Sequence, residues 1–276
     1  MPYISKIEQQ KRNKNRFNIY LSDEGKAEEY GFSVDEDLLV RMRLSKGMEV
    51  DELAIMEIQY RDHVQKAFQS AVHFLSYRMR SEREIAAYLA EKEWEEAVID
   101  EAMHKLREYK YVNDEEYAKA YVRTQMNIAR KGPDLIKREL SEKGISVSMQ
   151  DEALEQYTPA LQWENAEALA QKSLKKSKGS HKEAKQKAVL FLTRKGYNMG
   201  LAASVADELA SVDEDSEWES LVLMGQKFHR KYAKLEEREY GQKMKTALFR
   251  KGFQMDLINK FVELGKEQID NQEYEL

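Results

Sequence analysis

Residues Ser76 to Tyr121 read SYRMRSEREIAAYLAEKEWEEAVIDEAMHKLREYKYVNDEEYAKAY, and the apolar residues in this stretch recur at helical intervals. Ser81-Glu82-Arg83-Glu84 places Ser three residues before Glu, the spacing at which two side chains reciprocally cap the free N–H groups that open a helix. Ile85, Tyr88 and Leu89 supply that helix's apolar face. Val98, Ala102, Met103 and Leu106 supply a second at spacings of three and four. Tyr117, Tyr121 and Val122 begin a third. The reading is a helical triplet.

The triplet recurs. Four predicted helices end on related words: Leu89-Ala90-Glu91-Lys92-Glu93-Trp94, Leu140-Ser141-Glu142-Lys143-Gly144-Ile145, Leu192-Thr193-Arg194-Lys195-Gly196-Tyr197 and Leu248-Phe249-Arg250-Lys251-Gly252-Phe253. Their leucines are 51, 52 and 56 residues apart. Glycine after a helix adopts the left-handed conformation at little steric cost, and the neighbouring lysine complements the helix's negative end. Each unit needs a neighbour to cover its apolar surface. The predicted organisation is an N-terminal sheet plus helix over 1–60, then three-helix units over 61–111, 112–160, 161–212 and 213–276, the last carrying a polar, fraying tail after Gly265. The expected fold is mainly all-α, an elongated curved array with a small β-containing appendage.

In the appendage, alternation at Phe17, Ile19 and Leu21, and again at Leu38, Val40, Met42 and Leu44, predicts strands. Asp23-Glu24-Gly25 reads as a turn between extended segments. A helix over about Val50 to Phe74 should cover the sheet. Further along, Lys131-Gly132-Pro133 reads as a helix stop and restart. Lys178-Gly179-Ser180 reads as a corner, with Ser180 and Glu183 as a second capping box. Tyr88, Trp94, Tyr117, Trp163 and Phe191 sit at helical spacing and are expected to be packing residues rather than stacking groups for nucleic acid.

The chain has 276 residues, 42% hydrophobic and 34% charged, with three prolines, which suits a helix-rich folded protein. The absence of cysteine excludes disulfides and thiolate metal sites and fits a reducing cytoplasm. Pro2 to Lys14 holds no continuous apolar core resembling a secretion signal, no later apolar run is of membrane length, and a cytoplasmic location is expected. His63, His73, His104, His181 and His229 are too scattered for a zinc motif, and no phosphate-cradling glycine loop occurs. The acidic clusters Glu82/Glu84, Glu95/Glu96 and Asp114/Glu115/Glu116 read as helix starts and solvated faces. No catalytic group, metal or cofactor is expected.

Charge is more informative. Residues 165 to 200 hold nine bases and two acids, net +7, whereas 201 to 220 hold seven acids and no base, net −7. Such asymmetry can steer and orient a charged partner; the basic block reads either as a surface for a polyanion or charged protein or as a solvated face, and the acidic block either as protein-facing or as an exposed charged linker. The basic candidates there are Lys172, Lys175, Lys176, Lys182, Lys185, Arg194 and Lys195. Earlier units add Arg78, Arg80, Arg123, Arg130, Lys131 and Arg138. Lys11, Arg12, Lys14 and Arg16 form a basic N-terminal entry that either meets a polyanion or keeps a sheet edge unpaired. Their acceptors are a protein filament, nucleic acid or neighbouring helices.

The words FLSYRMRSEREIAAYL (Phe74–Leu89), YVNDEEYAKAYV (Tyr111–Val122) and RKGPDLIKRELSEKGI (Arg130–Ile145) resemble the RecX family of recombinase regulators, in the long form of Gram-positive bacteria. The later RKGY and RKGF words carry the resemblance onward; the N-terminal region matches less. The resemblance implies a non-catalytic monomer that regulates RecA in recombination and SOS repair. It implies binding to the ATP-bound RecA–single-stranded-DNA filament across several subunits, inhibition of ATPase and strand exchange, and limited filament growth or disassembly, with direct single- or double-stranded DNA contact open. Tyr77-Arg78-Met79-Arg80-Ser81 and Arg130-Lys131-Gly132 lie in recognisable family segments. The residues alone also admit a solenoid that binds single-stranded nucleic acid, or a charged protein-interaction scaffold.

Overall fold

The computed structural model describes residues 1–23, 27–175, 179–209, 214–265 and 269, with side chains 214–216 left out. It comprises two compact bodies: Met1–Tyr117 with Lys143–Ile145, and Ala118–Glu142 with Ser146–Leu276.

In the first body, β1 (Tyr3–Gln9), β2 (Arg16–Ser22) and β3 (Glu29–Asp35) form an antiparallel sheet in that order. Ile4, Ile19, Phe32 and Val34 are buried together, with Phe17 and Leu21 beside Ile19 as their alternation predicts. The second predicted strand is not one. Leu38, Val40, Met42 and Leu44 fall in the short helix α1 (Glu36–Arg41) and the turn after it. Asp35 accepts the Asp37 N–H, and Glu36 and Asp37 complement the helix's positive end. Leu38 and Met42, four apart, meet the core while Val40 stands 65% exposed. The proposed turn at Glu24 and Gly25 lies outside the described residues.

Helix α2 (Glu52–Leu75) runs through the 60/61 boundary drawn from sequence. Its Ile58 joins the sheet's core, whereas Val64, Ala67 and Ala71 join a helical core with α3 (Glu82–Glu91) and α4 (Glu96–Glu108). Ile85, Leu89, Val98, Ala102 and Leu106 fill that core. Trp94 is partly buried at its rim, its ring edge-on to His63 at 5.9 Å.

The next triplet is α5 (Asp114–Asn127), α6 (Pro133–Glu142) and α7 (Val147–Leu154), burying Val122, Met126, Ile136, Leu140 and Ala153. In the second body, α8 (Pro159–Lys175), α9 (His181–Arg194) and α10 (Met199–Leu209) enclose Ala166, Ala170, Leu192, Tyr197 and Val205. There α11 (Glu214–Tyr232), α12 (Glu237–Arg250) and α13 (Met255–Glu263) enclose Leu221, Tyr240, Leu248, Phe253 and Phe261. The repeated words do what their glycines predict: Gly144, Gly196 and Gly252 have φ of 83°, 90° and 90°. Glu93 occupies the same corner of the first triplet at φ 60° without glycine's freedom. Lys178 of the predicted third-unit corner, and the tail beyond Gly265 except residue 269, lie outside the described residues.

Candidate interaction surface

The start of α3 is an ionic cluster. Ser81 Oγ accepts the Glu84 N–H and Glu84 Oε2 accepts the Ser81 N–H, so the predicted capping box forms in full. Glu84 also pairs with Arg78 at 3.0 Å and Lys143 at 3.3 Å. Burial pushes its carboxyl up, but the Ser81 N–H, Arg78 and Lys143 outweigh that and hold it at about 2. Burial and the adjacent Glu84 push the Tyr117 hydroxyl up to about 12. The Glu82 N–H donates to Asp114 Oδ1 at 2.9 Å, and Arg107 pairs with the Glu82 carboxylate at 2.8 Å. Burial raises the Asp114 carboxyl above the ordinary range.

This cluster is one version of a repeated contact. The Lys-Gly corner of one triplet meets the start of the second helix in the triplet before it. A Cβ on Gly144 would lie 2.9 Å from Arg83, beside the Lys143–Glu84 pair. In the second body, Gly132 N–H donates to Lys195 O at 2.7 Å and Asp134 N–H to Gly196 O at 3.0 Å. A Cβ on Gly132 would fall 2.3 Å from the Gly196 backbone, and one on Gly196 2.3 Å from Leu135 Cβ, so neither position admits a side chain. Farther along, buried Ser180 donates to Lys251 O at 2.5 Å and accepts the Glu183 N–H, with Lys182 and Ser180 against Gly252. Of the second expected capping box the Ser half is present, while Glu183 turns Oε1 to Lys187 at 2.9 Å and Lys251 at 3.9 Å.

The first helical N–H follows the same logic. Asp114 receives that of Glu82, Glu217 receives that of His181 at 2.8 Å, and Pro133 has none to satisfy. Tyr197 adds a further tie, donating to Arg130 O at 2.9 Å with its oxygen 3.0 Å from that of Tyr157. Burial and the Tyr157 hydroxyl drive the Tyr197 hydroxyl far above the ordinary tyrosine range.

The basic candidates separate accordingly. Arg78 is half exposed but engaged by Glu84, and the Arg80 guanidinium lies 3.9 Å from the centre of the Phe74 ring. Lys131 pairs with Glu139 at 2.6 Å. Arg130 sits at φ 48° beyond the end of α5, its carbonyl bonded to Tyr197. Lys185 pairs with Asp207, so the basic and acidic blocks partly neutralise each other, and Lys195 lies 6.0 Å from the Phe191 ring centre. Arg123, Arg138, Lys172, Lys175, Lys182 and Arg194 are exposed and carry no ion pair among the described residues. Lys176 lies outside the described residues, as does Asp213 of the acidic block, along with the side chains of Glu214 and Asp215.

At the N-terminus, Lys11, Arg12 and Lys14 are exposed between β1 and β2, but Arg16 is not a surface cation. It reaches both carboxylate oxygens of Asp62, at 3.0 and 2.9 Å, and hydrogen-bonds Ser33. Asp62 is 2% exposed; burial pushes its carboxyl up, but hydrogen bonds and charge from Arg16 and Lys66 hold it below the ordinary range. Sequence reasoning missed this pair and the Glu84–Lys143 and Tyr157–Tyr197 ties, whose partners stand 46, 59 and 40 residues apart. Among the described residues no group of three His, Asp or Glu side chains is placed to hold a metal. No described helix is long and apolar enough to cross a membrane.

Comparison with known proteins follows the same order along the chain. Residues 2–51 match the model of the regulatory protein RecX N-terminal domain. Residues 67–106 and 113–154 match the first and second RecX three-helix domains. The model of the third matches twice, at 160–205 and 214–262. The regulatory protein RecX of Bacillus cereus (strain AH820) is 44% identical over 97% of this chain and 100% of its own. That of Bacillus thuringiensis subsp. konkukian (strain 97-27) is 43% identical over the same shares. A crystal structure of regulatory protein RecX superposes with TM-score 0.66 at 39% identity, covering 75% of this chain and all of that one. A crystal structure of RecX from Lactobacillus salivarius gives TM-score 0.51 at 35% identity, covering 54% and 97%.

Proposed function

The chain belongs to the RecX family of regulatory proteins, and from that premise we propose that it regulates the RecA recombinase by binding the RecA–single-stranded-DNA filament across several subunits. Occupancy restrains ATP turnover and strand exchange and limits filament growth or promotes disassembly. The protein acts as a cytoplasmic monomer, without catalysis of its own. The observation that carries this reading is the likeness to regulatory proteins named RecX along 97% of the chain, at 44% identity.

Serial three-helix units suit a polymeric partner. A first contact turns each later contact into an intramolecular event, so weak interactions combine into high avidity. Arg123, Arg138, Lys172, Lys175, Lys182 and Arg194 are exposed cations for this docking. Arginine meets a carboxylate through two parallel hydrogen bonds, while lysine supplies a mobile charge.

The test compares binding to naked single-stranded DNA, free RecA and the ATP-bound filament, with ATP turnover and filament length followed in parallel. The expected result is preference for the filament, slowed ATP hydrolysis and shorter filaments. Equal affinity for naked DNA and filament, with unaltered ATP turnover, overturns the proposal.

A further inference from the structure

The first body contains a cleft that the docking proposal does not use. About 290 Å³ in volume, it is lined by Asp37, Arg41, Phe68, Lys105, Tyr109 and Tyr111, together with Gln65. Tyr109 and Tyr111 are 51% and 52% exposed. Both meet Phe68 edge-on, with ring centres 5.7 and 5.9 Å from it. The turn that presents them is costly: Lys110 between them has φ 58°, a left-handed conformation in a residue with a Cβ. The Lys110 N–H to Arg107 O and Tyr111 N–H to Leu106 O hydrogen bonds, 3.0 and 2.9 Å, fix it.

The polar lining is cationic at this end. Arg41 and Lys105 carry no ion pair among the described residues, against the single lining carboxylate of Asp37. The cleft continues into a neighbouring one of about 430 Å³ that shares Asp37, Arg41 and Lys105. There charge is closer to balance: Glu57 pairs with Arg61 at 2.6 Å, and Glu101 adds a carboxylate. Two tyrosine rings accept a flat aromatic group, two cations accept an anion a short distance away, and Gln65 offers both a donor and an acceptor for a base edge.

The geometry points to a nucleotide-binding cleft, with the base against Tyr109 and Tyr111 and the phosphate at Arg41 and Lys105. Base stacking on aromatic rings beside a cationic track is the way single strands are held without sequence preference. The site is open along the surface, which suits one nucleotide of a strand. This inference does not depend on RecA, and its test contains none.

Full-length protein is irradiated with an oligo(dT) strand carrying 5-iodouracil, and the adduct is mapped by peptide sequencing. In parallel, the affinity of fluorescent oligo(dT) is measured by anisotropy. The adduct is expected on the peptide holding Tyr109 and Tyr111. Tyr109→Ala with Tyr111→Ala should weaken strand binding at least about tenfold, while the double Phe variant, which keeps both rings, binds as the parent does. Thymidine monophosphate added as competitor separates the two sources of this chemistry: loss of the adduct assigns the cleft to free nucleotides, persistence to strands. An adduct confined to other peptides, or no adduct, overturns the inference even where the Ala variant folds poorly. So does unchanged affinity of a folded Ala variant.

Discussion

Neutralising Glu84 tests whether the ionic cluster at the start of α3 stabilises the first helical triplet. The carboxylate accepts the Ser81 N–H and meets Arg78 and Lys143, and it titrates at about 2 against an ordinary 4.5. Its side chain is 21% exposed, so solvent screens it only in part. That depression corresponds to about 3 kcal/mol of stability at neutral pH, an upper figure because unfolded chains retain some charge pairing. The folded value lies below the unfolded one. The contribution is therefore complete above about pH 4.5 and is lost as pH falls through 2.

Glu84→Gln keeps an acceptor for the Ser81 N–H and removes the charge. Amide exchange of Leu89 and Leu106 in α3 and α4 reads the opening free energy of this triplet without requiring the whole chain to unfold in one step. Comparing parent and variant at each pH cancels the intrinsic exchange rate and the titration of distant carboxylates such as Asp62. The parent should be more protected by about 2–3 kcal/mol at pH 7, with the gap closing towards pH 2. A gap of equal size at pH 3 and pH 7 refutes the electrostatic account and leaves only shape.

Four further substitutions separate local from long-range causes, each read as the change in stability on urea denaturation. Gly196→Ala combines φ 90° with a Cβ 2.3 Å from Leu135, whereas Gly47→Ala at φ 87° meets open space. The first should cost roughly 3 kcal/mol or more and the second about 1. Glu93→Gly at φ 60° should raise stability by about 0.5–1 kcal/mol, left-handed strain relieved outweighing the entropy glycine adds to the unfolded chain. Arg16→Ala, which leaves Asp62 buried without its two-point partner, should cost about 3 kcal/mol and leave the salt dependence of filament binding unchanged in the folded fraction.

The helical triplets were legible because their signals are local. A glycine after a leucine-anchored helix is a demand of one backbone torsion, and a Ser-x-x-Glu word is answered within four residues, so both survive in the linear pattern. Leu38 to Leu44 failed for the complementary reason. Alternating apolar residues also contain an i, i+4 pair, and the cap from Asp35 decides between the two periods. Trp94 packs against the first helical core as its spacing predicts, but only in part, and nothing near it in the chain announces His63, 31 positions earlier.

The binding surface was harder to read, and the reason lies in how the repeats are joined. The most visible words, the Lys-Gly corners, meet the preceding second-helix starts through Lys143 to Glu84, Lys195 O from Gly132 and Lys251 O from Ser180. A residue engaged in holding one triplet to the next is recognisable because the same task recurs in every triplet. A cation free to meet a partner has no such constraint, and Arg123, Arg138 and Arg194 accordingly sit outside the shared geometry of those contacts, whereas the stem of Lys182 lies against Gly252 within one of them. Charge density in the sequence overstates the interactive surface, since Lys185 and Lys131 are engaged by Asp207 and Glu139 within the chain. If partner recognition resides in the exposed cations, substituting them should shift affinity with little change in stability. Substituting the corners should do the reverse, first loosening the triplets from one another and changing binding only through that loss.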